Sequence, residues 1–308
     1  MHQQKWDKRS QTKRRRPKLH IIRILYPYLF PMSFPSSPSF AGKTLVIPAV
    51  SYGNVGQLAV DILLCTALST SDATHVGHLQ SRHLLPVAGT DPFGISSSPQ
   101  AVATPCEIYE CTRANVVLMQ RRSMCVKGRA NDFALELAAW CKEQQFGQIV
   151  VLAGADSGSL RDRAMHDSLQ QGMCHFVTSS SSSMKEFSAF NSWQPFTQLE
   201  RDPDGDLVPP STDSSSRVKF PSNVHMAGLS KRLFVACTEM EVPVTTLMCF
   251  VAEGYNVPDG IRMATSLCEY LPGLAPRSVK QNESKNWTIP TSWNTLAPNQ
   301  PCEPNLFY

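Results

Sequence analysis

Thr44-Leu45-Val46-Ile47-Pro48-Ala49-Val50, then Ser51-Tyr52-Gly53-Asn54-Val55-Gly56, then Gln57-Leu58-Ala59-Val60-Asp61-Ile62-Leu63 is the stretch that decides the fold. Its first part is a short, almost wholly apolar run, the composition of a strand covered on both faces. Gly53 and Gly56 then predict a tight turn, since glycine enters left-handed backbone without steric cost. Beyond the turn, Val55, Leu58, Ala59, Ile62 and Leu63 recur at helical spacing and form one apolar face. Strand, glycine turn and helix make the repeating unit of α/β domains.

The same alternation continues downstream. Residues 75–88 read as a second strand ending near Pro86, and the Val- and Leu-rich 115–120 as a third. Asn131 is placed to cap a helix whose Phe133, Ala134, Leu137, Ala138 and Cys141 form a stripe, with Gly147 stopping it. Residues 148–153 are the clearest buried strand, and 174–178 a shorter one. A helix near 226–240 carries Leu229, Leu233, Ala236, Cys237 and Met240 on one face. A strand at 244–252 follows, and Asn256 and Pro258 suit the start of a helix bearing Ile261, Ala264, Cys268 and Leu271. The pattern predicts a three-layer α/β fold, a largely parallel sheet with helices on both faces.

Around this body the composition changes twice. Residues 1–31 hold nine Lys or Arg against one Asp, a net +8, so the rest of the chain carries −4 of the overall +4. A body of that balance has no electrostatic reason to seek nucleic acid. The basic run Lys13-Arg14-Arg15-Arg16-Pro17-Lys18 could serve nuclear import. The apolar residues after it are broken by Arg23, Pro27 and Pro31 and are too few to span a bilayer. We therefore expect residues 1–39 to be a disordered leader and the protein proper to begin at Met32, the upstream extension having no fold role. Residues 40–308 are expected to form one domain. It carries a mobile Ser/Pro-rich insertion at about 179–222, which buries too little apolar area to offset its ordering entropy. A flexible, proline-studded tail follows Pro272. The ten cysteines include no CxxC pair and several lie in apolar runs, as expected of reduced thiols packed as small hydrophobes. No internal repeat is visible, and the sequons opened by Asn282 and Asn286 would be unused in the cytosol.

Few residues have the makings of chemistry. Gly53, Asn54 and Gly56 could offer backbone N–H groups to a phosphate, but lack the GxGxxG spacing and a P-loop lysine, so a structural turn is the better reading. His75, His78 and His83 invite a metal. On a regular strand, however, His75 and His78 point to opposite faces, and no Cys or carboxylate stands nearby. Ser157 lies in Gly154-Ala155-Asp156-Ser157-Gly158, one position out of register for a nucleophile elbow, and His166 alone completes no triad. Glu253-Gly254 and Asp259-Gly260 read as turn formers, and Trp140 and Trp287 as packing residues. The chain ends in Leu306-Phe307-Tyr308, where an apolar residue, an aromatic and a carboxylate make a ready ligand for a slot on another protein.

Residues 46–61 resemble the N-terminal signature of the proteasome assembly chaperone 2 family. Three further segments fit the same family in order: Gln148-Ile149-Val150-Val151-Leu152, Phe250-Val251-Ala252-Glu253-Gly254-Tyr255-Asn256-Val257-Pro258-Asp259 and Trp287-Thr288-Ile289-Pro290-Thr291-Ser292-Trp293. The resemblance implies an α/β domain related to nucleoside phosphorylases, with no catalysis, cofactor or metal. It implies a heterodimer with proteasome assembly chaperone 1 that binds proteasome α subunits, promotes 20S α-ring assembly and restrains off-pathway association. The implied location is the cytoplasm, with the nucleus as a second compartment. It further implies docking by a C-terminal hydrophobic-Tyr-any-residue tail, matched here by Leu306, Phe307 and Tyr308, with Phe in place of the tyrosine. The rival from another class is a nucleoside-phosphorylase-like or hydrolytic enzyme using the loops at 53–56 and 154–158. A second rival, nucleic-acid binding through the leader, predicts steeply salt-dependent affinity.

Overall fold

A computed structural model describes residues 39–94, 102–157, 174–190, 220, 228–276 and 287–295, with the short segments Met32–Ser33, Trp193–Pro195, Glu200–Arg201 and Leu207–Val208. The leader before Met32, His166, most of the 179–222 insertion and the tail Leu306-Phe307-Tyr308 lie outside the described residues.

In chain order the main elements are β1 (Thr44–Pro48), α1 (Val55–Ser69), β2 (Thr74–Leu79), β3 (Cys106–Cys111), β4 (Val116–Arg121), α2 (Ala130–Glu143), β5 (Gln148–Asp156), β6 (Cys174–Thr178), α3 (Ser181–Ser188), α4 (Ser230–Glu239), β7 (Val244–Val251) and α5 (Val257–Tyr270). The sheet order is β2-β3-β4-β1-β5-β7-β6, with Met32–Ser33 outside β2 and Trp193–Pro195 outside β6. The four central strands, β4, β1, β5 and β7, run parallel. The margins are antiparallel: β2, β3 and β4 form a meander and β6 runs against β7.

Three layers follow from how the strands divide their side chains. In β1, Leu45 and Ile47 face one core and Val46 the other. In β5, Ile149, Val151 and Ala153 oppose Val150 and Leu152 in the same way. Side chains alternate across a strand, so a central strand buried on both faces is largely apolar, as β5 is from Ile149 to Ala155 and β7 is apart from Thr245 and Thr246. Helices α2 and α4 cover the first face, where Phe40, Trp140 and Phe146 stack together. Helices α1 and α5 cover the second. The expected three-layer α/β arrangement is therefore present, with its parallel part at the centre.

Local differences from expectation have identifiable causes. Helix α1 is not merely amphipathic: eleven of its fifteen residues are buried, because α5 crosses its outer side. A Cβ on Gly260 would lie 2.5 Å from Leu58 Cβ, so this glycine sets how closely α5 approaches. Asn131 lies inside the first turn of α2, whose cap position is Arg129 with no side-chain cap. Asp259 and Gly260 are not turn formers but belong to the first turn of α5, where Arg262 donates to Asp259 Oδ1 at 2.6 Å. The start of the expected serine-rich insertion is the helix α3. Ser180 Oγ accepts from Ser183 N at 3.4 Å at its first turn, and Met184 packs against the second core. Nine cysteines among the described residues are free thiols, eight of them buried.

At the junction of β1 with α1 the backbones approach closely. A Cβ on Gly56 would lie 2.3 Å from the Leu152 carbonyl oxygen, and one on Gly154 would lie 2.0 Å from the Tyr52 oxygen. Gly56→Ala should cost about 3 kcal/mol or more through forced separation of helix and strand. This would appear as a lower urea midpoint at unchanged slope. Gly89→Ala, whose Cβ would meet nothing within 4 Å, should stay within about 0.5 kcal/mol of the parent.

Candidate functional site

In parallel α/β sheets the natural place for a ligand is the crevice beyond the carboxyl ends of the strands. Here β1 runs into that crevice and turns at Ser51. Ser51 Oγ donates to the Ala49 carbonyl at 3.1 Å and accepts from Gly154 N at 2.9 Å, tying the turn to β5. Gly53 (φ 65°) and Asn54 (φ 54°) both take left-handed backbone before α1 begins. Gly53 is pressed against its neighbours: a Cβ there would lie 2.7 Å from Asn256 Nδ2 and 2.9 Å from Val251 Cγ2. The buried Asn256 carboxamide donates to the carbonyls of Ala252 (3.2 Å) and Gly254 (3.1 Å), so it holds the next strand-end loop. Each residue of the Gly53, Asn54, Gly56 turn thus has a packing or backbone reason to be what it is.

The charged groups that act on Tyr52 at this turn are both carboxylates. The Tyr52 hydroxyl is pushed above its ordinary pKa by lost solvation, and then by the carboxylates of Asp156 and Glu253. A phenol facing two carboxylates can donate a hydrogen bond, but neither carboxylate helps it to ionise or to hold an anion. Ser157 follows Asp156 at the end of β5.

The three histidines separate into two places. The register of β2 against β3 shifts between His75 and Gly77, a bulge that inserts one extra residue. It cancels the odd spacing, and the rings of His75 and His78, expected on opposite faces, lie 5.3 Å apart between centroids. His75 also meets Tyr109 edge-on at 5.1 Å, and burial lowers its pKa. His83 instead sits against α2, buried, 3.7 Å from Glu136 Oε2. Burial lowers its pKa and raises that of Glu136, so both favour their neutral forms. No grouping of three His, Cys, Asp or Glu able to hold a metal occurs among the described residues.

The residues that sequence reasoning missed join the signature helix to β3 and β4. Asp61, buried on α1, accepts from Gln120 Nε2 at 2.7 Å and from the Arg122 guanidinium at 2.8 and 3.3 Å. Gln57, one turn earlier, donates to the Arg121 carbonyl at 3.1 Å, and Gln120 returns a bond to the Gln57 carbonyl at 3.0 Å. Glu107 extends the network, accepting from Thr104 N and the Tyr109 hydroxyl, with Arg122 Nε 4.0 Å away. The Arg122 guanidinium lies 5.5 Å over the Phe93 ring. Arg121 is fully buried towards the other layer, over Phe133, and donates to Cys125 Sγ. The available signal was two polar residues four apart, Gln57 and Asp61, in the otherwise apolar stretch Val55–Cys65.

Architecture and site together define an α/β protein whose strand-end turn is committed to packing and whose signature helix is bolted to the antiparallel margin. Comparison with known proteins assigns the family. The PAC2 family model matches residues 45–283. A protein of Nematostella vectensis named proteasome assembly chaperone 2 is 34% identical over 236 residues, covering 75% of this chain and 90% of that protein. Proteins of the same name from Danio rerio and Homo sapiens are 29% and 28% identical, covering 87% and 85% of this chain and 96% and 94% of their own lengths. The chain belongs to the PAC2 family. Among solved structures, the fold is shared with Pyrococcus furiosus PbaA, described as an archaeal homologue of proteasome-assembly chaperone. The TM-score is 0.52 at 13% identity, covering 79% of this chain and 86% of PbaA. It is shared as well with PbaB of that organism, described as an archaeal proteasome activator, at TM-score 0.51 and 10% identity, covering 79% and 89%.

The signature network can be tested as a unit. Asp61→Ala should cost about 2–4 kcal/mol, because it strands buried donors of Gln120 and Arg122. In a double-mutant cycle with Arg122→Ala the losses should fall short of additivity by about 1 kcal/mol or more, measured by urea unfolding.

Proposed function

We propose that this chain is a non-enzymatic assembly chaperone of the proteasome. In this reading it pairs with a second chaperone, proteasome assembly chaperone 1. The pair binds proteasome α subunits, favours their closure into the 20S α-ring and restrains off-pathway association of rings, in the cytoplasm and nucleus. The observation that carries the reading is the length of the sequence match. Relatives named proteasome assembly chaperone 2 align over nine-tenths or more of their own lengths. The strand-end geometry supports it, since the turn that would serve a phosphate in an enzyme of this architecture packs against Val251, Leu152 and Asn256. No helix among the described residues is long and apolar enough to cross a membrane.

Affinity purification of the tagged chain from cells, followed by mass spectrometry, tests this directly. Recovery of the second chaperone with free α subunits is expected; recovery of neither, from folded protein, would refute it.

Docking through the C-terminal residues is part of the proposal. Leu306 and Phe307 would fill an apolar slot, and the Tyr308 carboxylate would pair with a cation or backbone donors at its base. Phe307 lacks the hydroxyl of the family's tyrosine, a loss of about 1 kcal/mol. Deleting residues 306–308 should weaken capture of α subunits while leaving the thermal midpoint unchanged. Phe307→Tyr should tighten capture by about fivefold. Equal capture by all three proteins would reject docking through the tail.

A further inference from the structure

Cys174 opens β6 and Cys249 lies towards the end of β7, two residues that the proposed function does not use. The register that pairs Thr245 with Thr178 and Met248 with His175 places Cys249 opposite Cys174 on the next rung. At the other end of this ladder Ser179 N donates to the Val244 carbonyl at 2.9 Å, a hydrogen-bonded rung. Hydrogen-bonded and open rungs alternate along an antiparallel pair. Cys174 and Cys249 lie an odd number of rungs from Ser179 and Val244, so theirs is an open rung. There the opposed Cα atoms stand about 4.5 Å apart and the side chains are closest.

That spacing lies within the span of about 4.4–6.8 Å that a disulfide accepts. The side chains use it: the two Sγ atoms are 2.8 Å apart, one thiol donating to the other. Closing this gap to a bond of about 2.05 Å asks for little movement of either strand. Both residues are buried in the second core, so access comes from their place at the end of the ladder. The ends of an element open more readily than its middle. The contact with Cys174, and then burial, push the Cys249 thiol well above its ordinary pKa, so the closed pair reacts slowly and is activated as the rung opens.

We propose that Cys174 and Cys249 are a reversible oxidation site, closed to a disulfide by peroxide and reopened by thiols. One thiolate sulfur attacks a peroxide oxygen: an S–O bond forms, the O–O bond breaks and water leaves. The second thiol then displaces the hydroxyl of that sulfenic acid, so the S–S bond forms, the S–O bond breaks and a second water leaves. Two thiols and one hydrogen peroxide give one disulfide and two waters, with two electrons passing from sulfur to oxygen. Exchange with a dithiol returns both cysteines to the reduced form. The bond fixes the last rung of the ladder and ties β6 to the parallel centre of the sheet.

The test treats the full, folded chain with hydrogen peroxide, alkylates the remaining thiols in denaturant, and maps the digest by mass spectrometry without reduction. The proposal expects a peptide pair joined through Cys174 and Cys249, lighter by two hydrogens than the separate thiol peptides and lost on adding dithiothreitol. Disulfides from either cysteine to another, or recovery of both unpaired once the partly exposed Cys125 is oxidised, would overturn it. Hydrogen exchange gives a second readout. Oxidation should slow exchange at the amides of residues 175–178 by about tenfold or more, and the same treatment of Cys249→Ala should leave it unchanged. Unchanged exchange in the oxidised parent, or equal slowing in the variant, would overturn the proposal as well.

Discussion

The carbonyl oxygen of Leu152, near the middle of the sheet, is the point on which the structure turns. It accepts the Ala49 N–H at 2.8 Å, which closes the ladder between β1 and β5 just past Pro48. The same oxygen stands where a side chain on Gly56 would have to go, and two residues along β5 Gly154 is bare so that the Tyr52 carbonyl can approach. Helix α1 therefore starts in backbone contact with the strand beneath it. A contact this close requires glycine at 56 and 154, and left-handed backbone at Gly53 and Asn54 to bring the chain round. The rest of the signature follows from that placement. With α1 so close to the sheet, Gln57 and Asp61 reach the end of β4, and a buried polar network joins the parallel centre to the antiparallel margin.

This arrangement supports the proposed action through the protein's exterior. A helix N-terminus at the end of a parallel strand is a ready anion site when a loop leaves its N–H groups free. Here the loop is drawn down onto β5 and faced by Val251 and Asn256. Near it the Tyr52 hydroxyl is pushed above its ordinary pKa by lost solvation and by the carboxylates of Asp156 and Glu253, which does not make an acid, base and anion-binding set. What the fold then offers is surface, and the PAC2 relationship fits a protein that grips other polypeptides.

Much of the fold was legible because its central strands are apolar on both faces and its helices carry clean stripes. β1, β5 and β7 and the helices around them stand close to where periodicity puts them. β3 was not legible: Cys106-Glu107-Ile108-Tyr109-Glu110-Cys111 carries two carboxylates and follows Pro105, so it does not read as buried. It is tolerated because Arg122, Tyr109 and Thr104 satisfy Glu107 and Lys43 pairs with Glu110. The pairing of His75 with His78 depends on a one-residue bulge, a tertiary decision that no local pattern encodes. Helix α3 was hidden by its serines, whose hydroxyls cap and hold one another. At the candidate site the glycines were legible as a turn. Their purpose was not, since it lies in Leu152, Tyr52 and Asn256, up to two hundred residues away along the chain.

On the proposed function, the strand-end polar groups Asp156 and Glu253 are dispensable and the protein's surfaces bind its partners. The most direct measurement is capture of α subunits by the chain co-expressed with the proposed partner, proteasome assembly chaperone 1, comparing the parent with the double variant Asp156→Asn, Glu253→Gln. Equal capture at equal thermal midpoint is the predicted result. Loss of capture by a variant as stable as the parent would contradict the account.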